Sequence, residues 1–142
     1  IENLPFPDAV PALRELRRRC YSLGILANQV AGLPERLAQR GMGGLFAVIV
    51  TSAEFGAKKP DSALFEAALR QAGCLPAEAA MVGDRLDNDI APAKRLGMRT
   101  VRILQGYGAL SRPRNDWEEP EETVRTLAEL PELFPEDKGE TE

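Results

Sequence analysis

Histidine is absent from these 142 residues. Without an imidazole, the chain cannot build a Ser-His-Asp or Cys-His catalytic arrangement, or a histidine-ligated zinc centre, from its own side chains. Cysteine is scarce as well. Cys20 and Cys74 are too few for a disulfide framework, and both stand among apolar neighbours, which predicts reduced, buried thiols in a protein of the cytoplasm. No apolar run approaches the roughly 20 residues needed to cross a bilayer, and no signal-peptide pattern opens the sequence, so no membrane partner is expected. Basic charge is not in excess either: 18 Lys and Arg stand against 22 Asp and Glu, for a net charge of −4. That balance gives no support to nucleic-acid binding, and Arg17, Arg18 and Arg19 fall in a helical pattern whose solvated face they are expected to form. No Gly-x-Gly-x-x-Gly follows a strand-like run, which sets aside a dinucleotide-binding domain.

What is present fits one globular domain with a real core, at 44% hydrophobic and 28% charged residues. Helical and apolar-strand patterns alternate. A helix is expected over Asp8 to Leu23, closed by Gly24, followed by a short strand Ile25-Leu26-Ala27. A second helix is expected over Leu33 to Arg40, a strand over Leu45 to Val50, and a third helix over Asp61 to Ala72 with Leu64, Phe65, Ala68 and Leu69 on one face. The run Ala79-Ala80-Met81-Val82 reads as a strand buried on both faces. A short helix from Asp87 to Leu96, patterned by Ile90, Ala93 and Leu96 and closed by Gly97, and a strand from Arg99 to Leu104 follow. Ser111 to Glu122 reads as a surface loop, and Glu121 to Leu130 as a last helix docking through Val124, Leu127 and Leu130. Such alternation predicts an α/β fold, a parallel sheet covered by helices with right-handed crossovers. Residues 1–134 are assigned to one core domain, and 135–142 to an acidic tail expected to be disordered.

The most informative stretch is Gly83-Asp84-Arg85-Leu86-Asp87-Asn88-Asp89, directly behind the buried strand. Gly83 permits a tight exit from the sheet, Asp84 then stands at the strand's carboxyl end, and Asp89 faces back toward it from the first turn of a helix. Ligand sites in open parallel sheets form beyond the carboxyl ends of the strands. Two hard carboxylates there favour magnesium over zinc or copper. The plainer alternative is an ordinary turn residue at Asp84 and helix caps at Asp87 or Asp89. Ala27-Asn28-Gln29, after the first strand, offers an amide side chain and backbone donors suited to a phosphoryl oxygen. Gly56-Ala57-Lys58-Lys59-Pro60-Asp61 ends at a helix start, where a lysine can reach inward as a compact cation. Solvent is the alternative for Lys58 and Lys59, and a turn role for Asn28.

Taken in order, Asn28, Lys59-Pro60-Asp61 and Gly83-Asp84 with Asp89 resemble the haloacid dehalogenase-like (HAD) hydrolase superfamily, most closely its phosphoglycolate phosphatase-like branch. The likeness extends to Phe6-Pro7-Asp8-Ala9-Val10, Leu64-Phe65-Glu66-Ala67-Ala68-Leu69, Ala93, Gly97-Met98 and Leu127-Ala128-Glu129-Leu130, and so covers nearly the whole chain. It implies a Rossmann-like three-layer α/β/α core with a mostly parallel sheet. It further implies a Mg2+-dependent phosphatase acting on a small phosphorylated substrate through an aspartyl-phosphate. Asp84 is then the direct metal ligand, Asp89 a metal or outer-sphere carboxylate, and Lys59 the catalytic partner of the nucleophile. Asn28 and Ala27, with Lys59, lie on the phosphate side, Lys58 being the less favoured neighbour.

Two departures stand out. Ala27 occupies a position where the family usually has serine or threonine, and the Asp-x-Asp-x-Thr-type nucleophile motif is missing. Asp87-Asn88-Asp89 has the right spacing but belongs to the metal motif. In the family the nucleophile's strand lies between the strand ending at Ala27 and the one ending at Val82, so its absence should leave two central edges unpaired. Three accounts follow: a fragment of a longer enzyme, a second polypeptide supplying the strand, or closure of the flanking strands in a catalytically dead protein. The first is favoured, because the sequence opens at Ile1 in mid-pattern. The chain alone is expected to be inactive, its specificity to reside in an absent cap, and the alternative function is a non-catalytic HAD-like binding or regulatory protein.

Overall fold

The computed structural model describes residues 9–27, 44–52, 61–104 and 109–135, together with the single positions 35, 38 and 59. Of the expected helix over Leu33 to Arg40 only Glu35 and Ala38 are described, both helical, and the acidic tail beyond 135 lies outside the described residues.

Helix α1 (Ala9–Arg18) carries Pro11 in its first turn, where the missing N–H has no intrahelical partner to lose, and buries Ala12 and Leu16 at a spacing of one turn. It ends earlier than the expected Leu23. Cys20 turns the chain in the left-handed region, at φ 72°, and Gly24 opens strand β1 (Gly24–Ala27) rather than closing the helix. Cys20 is also exposed, not buried, because this turn leaves the protein surface. Cys74 is half-buried, and burial pushes its thiol up.

Strand β2 (Val48–Thr51) pairs with β1 in parallel, from Gly24 opposite Val48 to Ala27 opposite Thr51. It begins at Val48 rather than Leu45, since Leu45 and Phe46 turn aside to pack against Ile25. Helix α2 (Ser62–Ala72) has both ends fixed: the Asp61 carboxylate accepts from the Ala63 N–H at 2.9 Å, and Gly73, at φ 72°, donates its N–H to the carbonyls of Leu69 and Arg70.

The second half is a three-stranded parallel sheet in the order β3 (Ala80–Gly83), β4 (Arg99–Ile103), β5 (Glu122–Val124). A short helix α3 (Ala91–Leu96) crosses from β3 to β4 and ends at Gly97, at φ 93°. The expected final helix over Glu121 to Leu130 is not formed. Its residues make β5, a short turn at Leu127–Glu129 and helix α4 (Leu130–Leu133). Val124, Leu127 and Leu130 are buried as expected. Their spacing of three suits a helix, but it serves equally well for a strand end leading into a tight three-residue turn, and pairing of Val124 with Ile103 decides between them.

Helices cover both faces. On one, Leu16 of α1 packs with Val101, Ile103, Val124, Leu127 and Leu130, while Leu13 reaches both that cluster and Ile25 of β1. On the other, Phe65 and Leu69 of α2 pack with Ala93 of α3, taking in Leu26 from β1 and Met81 from β3. This is the three-layer α/β/α arrangement. The two sheets thus share their covering helices, yet β1 pairs only with β2 and β3 only with β4 among the described residues.

Arg19 does not lie on a solvated face as expected. Its guanidinium donates to the carbonyls of Pro131 at 2.7 Å and Phe134 at 2.9 Å, and Glu15 holds it at 2.7 Å while also pairing with Arg18. Phe134 completes this corner, with Tyr21 against its edge at 5.6 Å and Arg99 over its face at 4.6 Å. The hydrogen bonds from Arg18, and then those from Arg19, hold the Glu15 carboxyl down from 4.5 to about 2. A carboxyl depressed on folding stabilises the fold above its unfolded value, and that contribution fades as the pH falls from 4.5 toward about 2. Glu15→Gln should therefore lower the urea midpoint at pH 7 and make little difference near pH 2. A deficit unchanged between those two conditions would show that the Glu15 charge has no part in it.

Candidate functional site

Strand β3 delivers Gly83 and Asp84 at its carboxyl end, and the helix expected from Asp87 to Leu96 follows, but its first turn is not a regular one. Leu86–Ile90 forms a wide turn with bonds that skip five residues, from the Ile90 N–H to the Arg85 carbonyl at 3.2 Å and from Ala91 to Leu86. Regular α-helical bonding begins only with α3 at Ala91, into which the wide turn runs directly, and Pro92 is a reason for the change. It has no N–H to return to Asn88, so a regular helix could not run through both segments with its ladder intact.

The wide turn folds Asp89 back over Gly83. A Cβ on Gly83 would lie 2.5 Å from both Cβ and Oδ2 of Asp89, closer than any real contact. Glycine is thus required here by the approach of a side chain, not by an unusual φ. Asp89 is 3% exposed, and both its oxygens are engaged: Oδ1 accepts from Lys59 Nζ at 2.6 Å, and Oδ2 from the Arg85 backbone N–H at 3.1 Å. Lys59 is equally buried. The ion pair joins the segment that follows β2 to the turn that follows β3.

Asp84 lies half-buried next to this pair. Burial pushes its carboxyl above the ordinary range, the negative charge of Asp89 adds to the effect, and the Lys59 ammonium opposes it. Asp87 faces outward and pairs through both oxygens with Arg85, at 3.2 and 3.0 Å. Partial burial works against its charge, but the Arg85 hydrogen bonds prevail and hold its carboxyl below the usual range.

The described structure brings together Lys59, Asp84 and Asp89 from the sequence-derived set. Ala27 closes β1 opposite Thr51, while Asn28 and Lys58 lie outside the described residues. Among the described residues, no three acidic or cysteine side chains gather into one metal cluster. The arrangement is therefore two carboxylates and one ammonium at the mouth of a parallel sheet, suited to a hard cation and an anion side by side.

Two participants nearby escaped the sequence reading. Ser111 to Glu122 is not simply a surface loop. Asn115 caps a short turn, Asp116–Glu118, by accepting from the N–H groups of Trp117 and Glu118, and Glu118 is 3% exposed. The spacing Asn115-x-x-Glu118 is a capping signature that could have signalled it. Lys94 binds this turn, and nothing in the sequence distinguishes it from a solvated lysine.

A sequence model of the haloacid dehalogenase-like hydrolase family matches residues 1–97. The chain is similar to a glyceraldehyde 3-phosphate phosphatase of Methanopyrus kandleri, with 40% identity over 89% of this chain and 54% of that protein. It is also similar to a phosphoserine phosphatase of Thermus thermophilus, with 37% identity over 88% of this chain and 49% of the relative. Among solved structures, a HAD phosphatase from Thermococcus onnurineus superposes with a TM-score of 0.81 at 32% identity, over 94% of this chain and 59% of that one. The chain spans about half the length of the curated relatives it matches. With the family's sequence pattern running through more than half of its residues, the chain belongs to the haloacid dehalogenase-like hydrolases.

Proposed function

We propose that this chain carries the metal and phosphate side of a magnesium-dependent phosphatase acting on a small phosphorylated metabolite, and that the attacking aspartate comes from a segment outside these 142 residues. The observation that carries the reading is the buried Lys59–Asp89 pair, at 2.6 Å, with a second carboxylate, Asp84, beside it at the end of β3. The donor set fits Mg2+. That ion is commonly held by one or two carboxylates, keeps several waters and takes up substrate phosphate oxygens, so a closed protein cage is not needed. When bound, it would supply charge neutralisation to the phosphoryl oxygens.

The residues of the chain divide the remaining work. Asp84, half-buried at the end of β3 with a carboxyl raised by its surroundings, is the direct ligand, and a cation there would relieve its repulsion with Asp89. Asp89 has its oxygens committed to Lys59 and to the Arg85 N–H, which suits a ligand held in one orientation or an acceptor for a metal-bound water. Lys59 places positive charge between the carboxylates and the phosphate. Asn28, with the backbone at Ala27, contributes phosphate-side donors. The phosphatase activities named for the Methanopyrus and Thermus relatives support phosphoryl chemistry, and the edges of β1 and β3 that have no strand partner among the described residues offer a place for the missing strand. A non-catalytic role is favoured by one observation, the lack of the nucleophile motif in the sequence.

Calorimetric titration with Mg2+ tests the site directly. Asp84→Asn should weaken binding by about tenfold or more, as expected when a coordinating charge is removed; unchanged affinity would remove Asp84 from the site. Lys59→Met, which leaves Asp89 buried without its ammonium, should cost about 3–5 kcal/mol in metal-free urea unfolding. A loss below about 1 kcal/mol, the value of an exposed pair, would contradict the burial on which the reading depends. Gly83→Ala should cost about 1–3 kcal/mol through overpacking and weaken Mg2+ binding by displacing Asp89. The phosphatase reading itself is tested by co-expression with a segment bearing an Asp-x-Asp-x-Thr strand. Mg2+-dependent hydrolysis of a phosphate monoester is the expected gain, and a stable but inactive complex would leave the non-catalytic role.

A further inference from the structure

One lysine of α3, Lys94, ties a neighbouring turn to that helix. We propose that Lys94 is a positioning residue for the Asp84/Asp89 site, which it serves by pinning the turn around Asp116–Glu118 onto α3, so that this turn buttresses the wide turn bearing Asp89. The inference rests on the metal-site reading above.

Lys94 Nζ donates to two backbone carbonyls, Asp116 and Glu119, each at 2.9 Å. A single ammonium thus closes the two ends of one short turn against helix α3. The turn is already shaped for it. Asn115 Oδ1 accepts from Trp117 N at 3.0 Å and Glu118 N at 3.2 Å, and the Arg95 guanidinium lies over the Trp117 ring at 5.1 Å. On its other side the turn packs directly against Leu86–Ile90. The buried Glu118 carboxylate is held there by Arg114, through its backbone N–H at 3.0 Å and its guanidinium at 2.7 Å. The charge of Asp87, on the wide turn, acts on both Arg114 and Glu118, so the two segments interact electrostatically as well as by packing.

Such support bears on the site because the wide turn carries Asp89. Its five-residue hydrogen bonds are an uncommon backbone arrangement, and Asp89 is already in close contact with Gly83. Small shifts of Leu86–Ile90 therefore change where the Asp89 carboxylate points. Lys94 is bonded to the Asp116 and Glu119 carbonyls and not to Asp84 or Asp89, so its effect must pass through the Asp116–Glu118 turn and the wide turn. That chain of contacts separates a positioning role from a ligand role.

Trp117 is the only tryptophan in the sequence and sits on the proposed buttress, which makes its emission a natural reporter. The test is a Mg2+ titration of the full chain, followed by calorimetry and by Trp117 fluorescence, in the wild type and in Asp84→Asn, Lys94→Met, Lys94→Arg and Arg95→Gln. Lys94→Met should raise the apparent Kd by about tenfold, within the usual range of coupling between separate sites. Lys94→Arg, whose guanidinium can still bridge two carbonyls, should recover most of the affinity. Arg95→Gln removes only an exposed stacking contact and leaves the fold intact; it should weaken Mg2+ by about threefold and alter the Trp117 response. If Asp84→Asn abolishes binding while Lys94→Met and Arg95→Gln both remain within about twofold of wild type, the buttress is overturned and the metal site stands. If Asp84→Asn changes nothing, the metal-site reading fails and this inference fails with it.

Discussion

The buried ion pair between Lys59 and Asp89 is the constraint on which the site end of this molecule depends. Neither partner could be placed there alone, because an unpaired charge at this depth would cost more than the fold can spare. The pair also spans a structural division. Lys59 follows the two-stranded sheet and Asp89 follows the three-stranded one, and no strand hydrogen bonds connect the two sheets among the described residues. Apolar packing through α1 and α2 joins them at their faces, whereas Lys59–Asp89 joins them at the carboxyl end. Packing tolerates sliding; a 2.6 Å charge-assisted hydrogen bond between fixed partners does not. The geometry at the carboxyl end is therefore more narrowly specified than the apolar contacts alone would make it.

Asp84 is the counterpart to that economy. It adds a second carboxylate to a place where one already has its cation, and its surroundings resist ionisation on two counts, burial first and the neighbouring charge next. Nothing in the packing of β3 calls for an acid at that position. Arrangements of this sort work against stability and are concentrated where charge must later be met by a ligand. Glu118 is a useful contrast: it too is a buried acid, but it receives three donors of Arg114 and holds a turn together. The two acids differ in that one has its cationic partner beside it and the other has a like charge, that of Asp89, for a neighbour.

Much of this was legible in the sequence because the signals were local. A strand, a glycine and an aspartate in succession fix the direction in which Asp84 leaves the sheet, and Asp61 with Gly73 marks both ends of α2. Alternation alone pointed to a parallel sheet covered by helices, and the family resemblance to its three layers. Where the reading failed, the deciding contact lay far off in sequence. Val124, Leu127 and Leu130 suit a helix until Ile103 offers Val124 a parallel neighbour. Arg19 looks like a surface residue until α4 presents two carbonyls to it. The helix after Asp84 was legible but the wide pitch of its first turn, Leu86–Ile90, was not: Pro92 announces an interrupted ladder without saying how the chain meets it, and Asp89 fits closely over Gly83 in the form adopted. Lys94 is the extreme case, since two backbone carbonyls carry no sequence identity that could reveal it.

The division of the sheet links stability to chemistry in one place. β1 and β3 each present a row of backbone groups with no strand partner among the described residues, and both are covered by the same helices. A parallel strand entering between them would satisfy both rows at once and bury apolar side chains against Leu13 on one face and Phe65 on the other. Its carboxyl end would emerge where Lys59, Asp84 and Asp89 converge. On the proposed reading, the attacking aspartate arrives on that end. The segment that completes the site is then also the segment that completes the sheet, and its entry into the fold and its entry into the reaction would be one event.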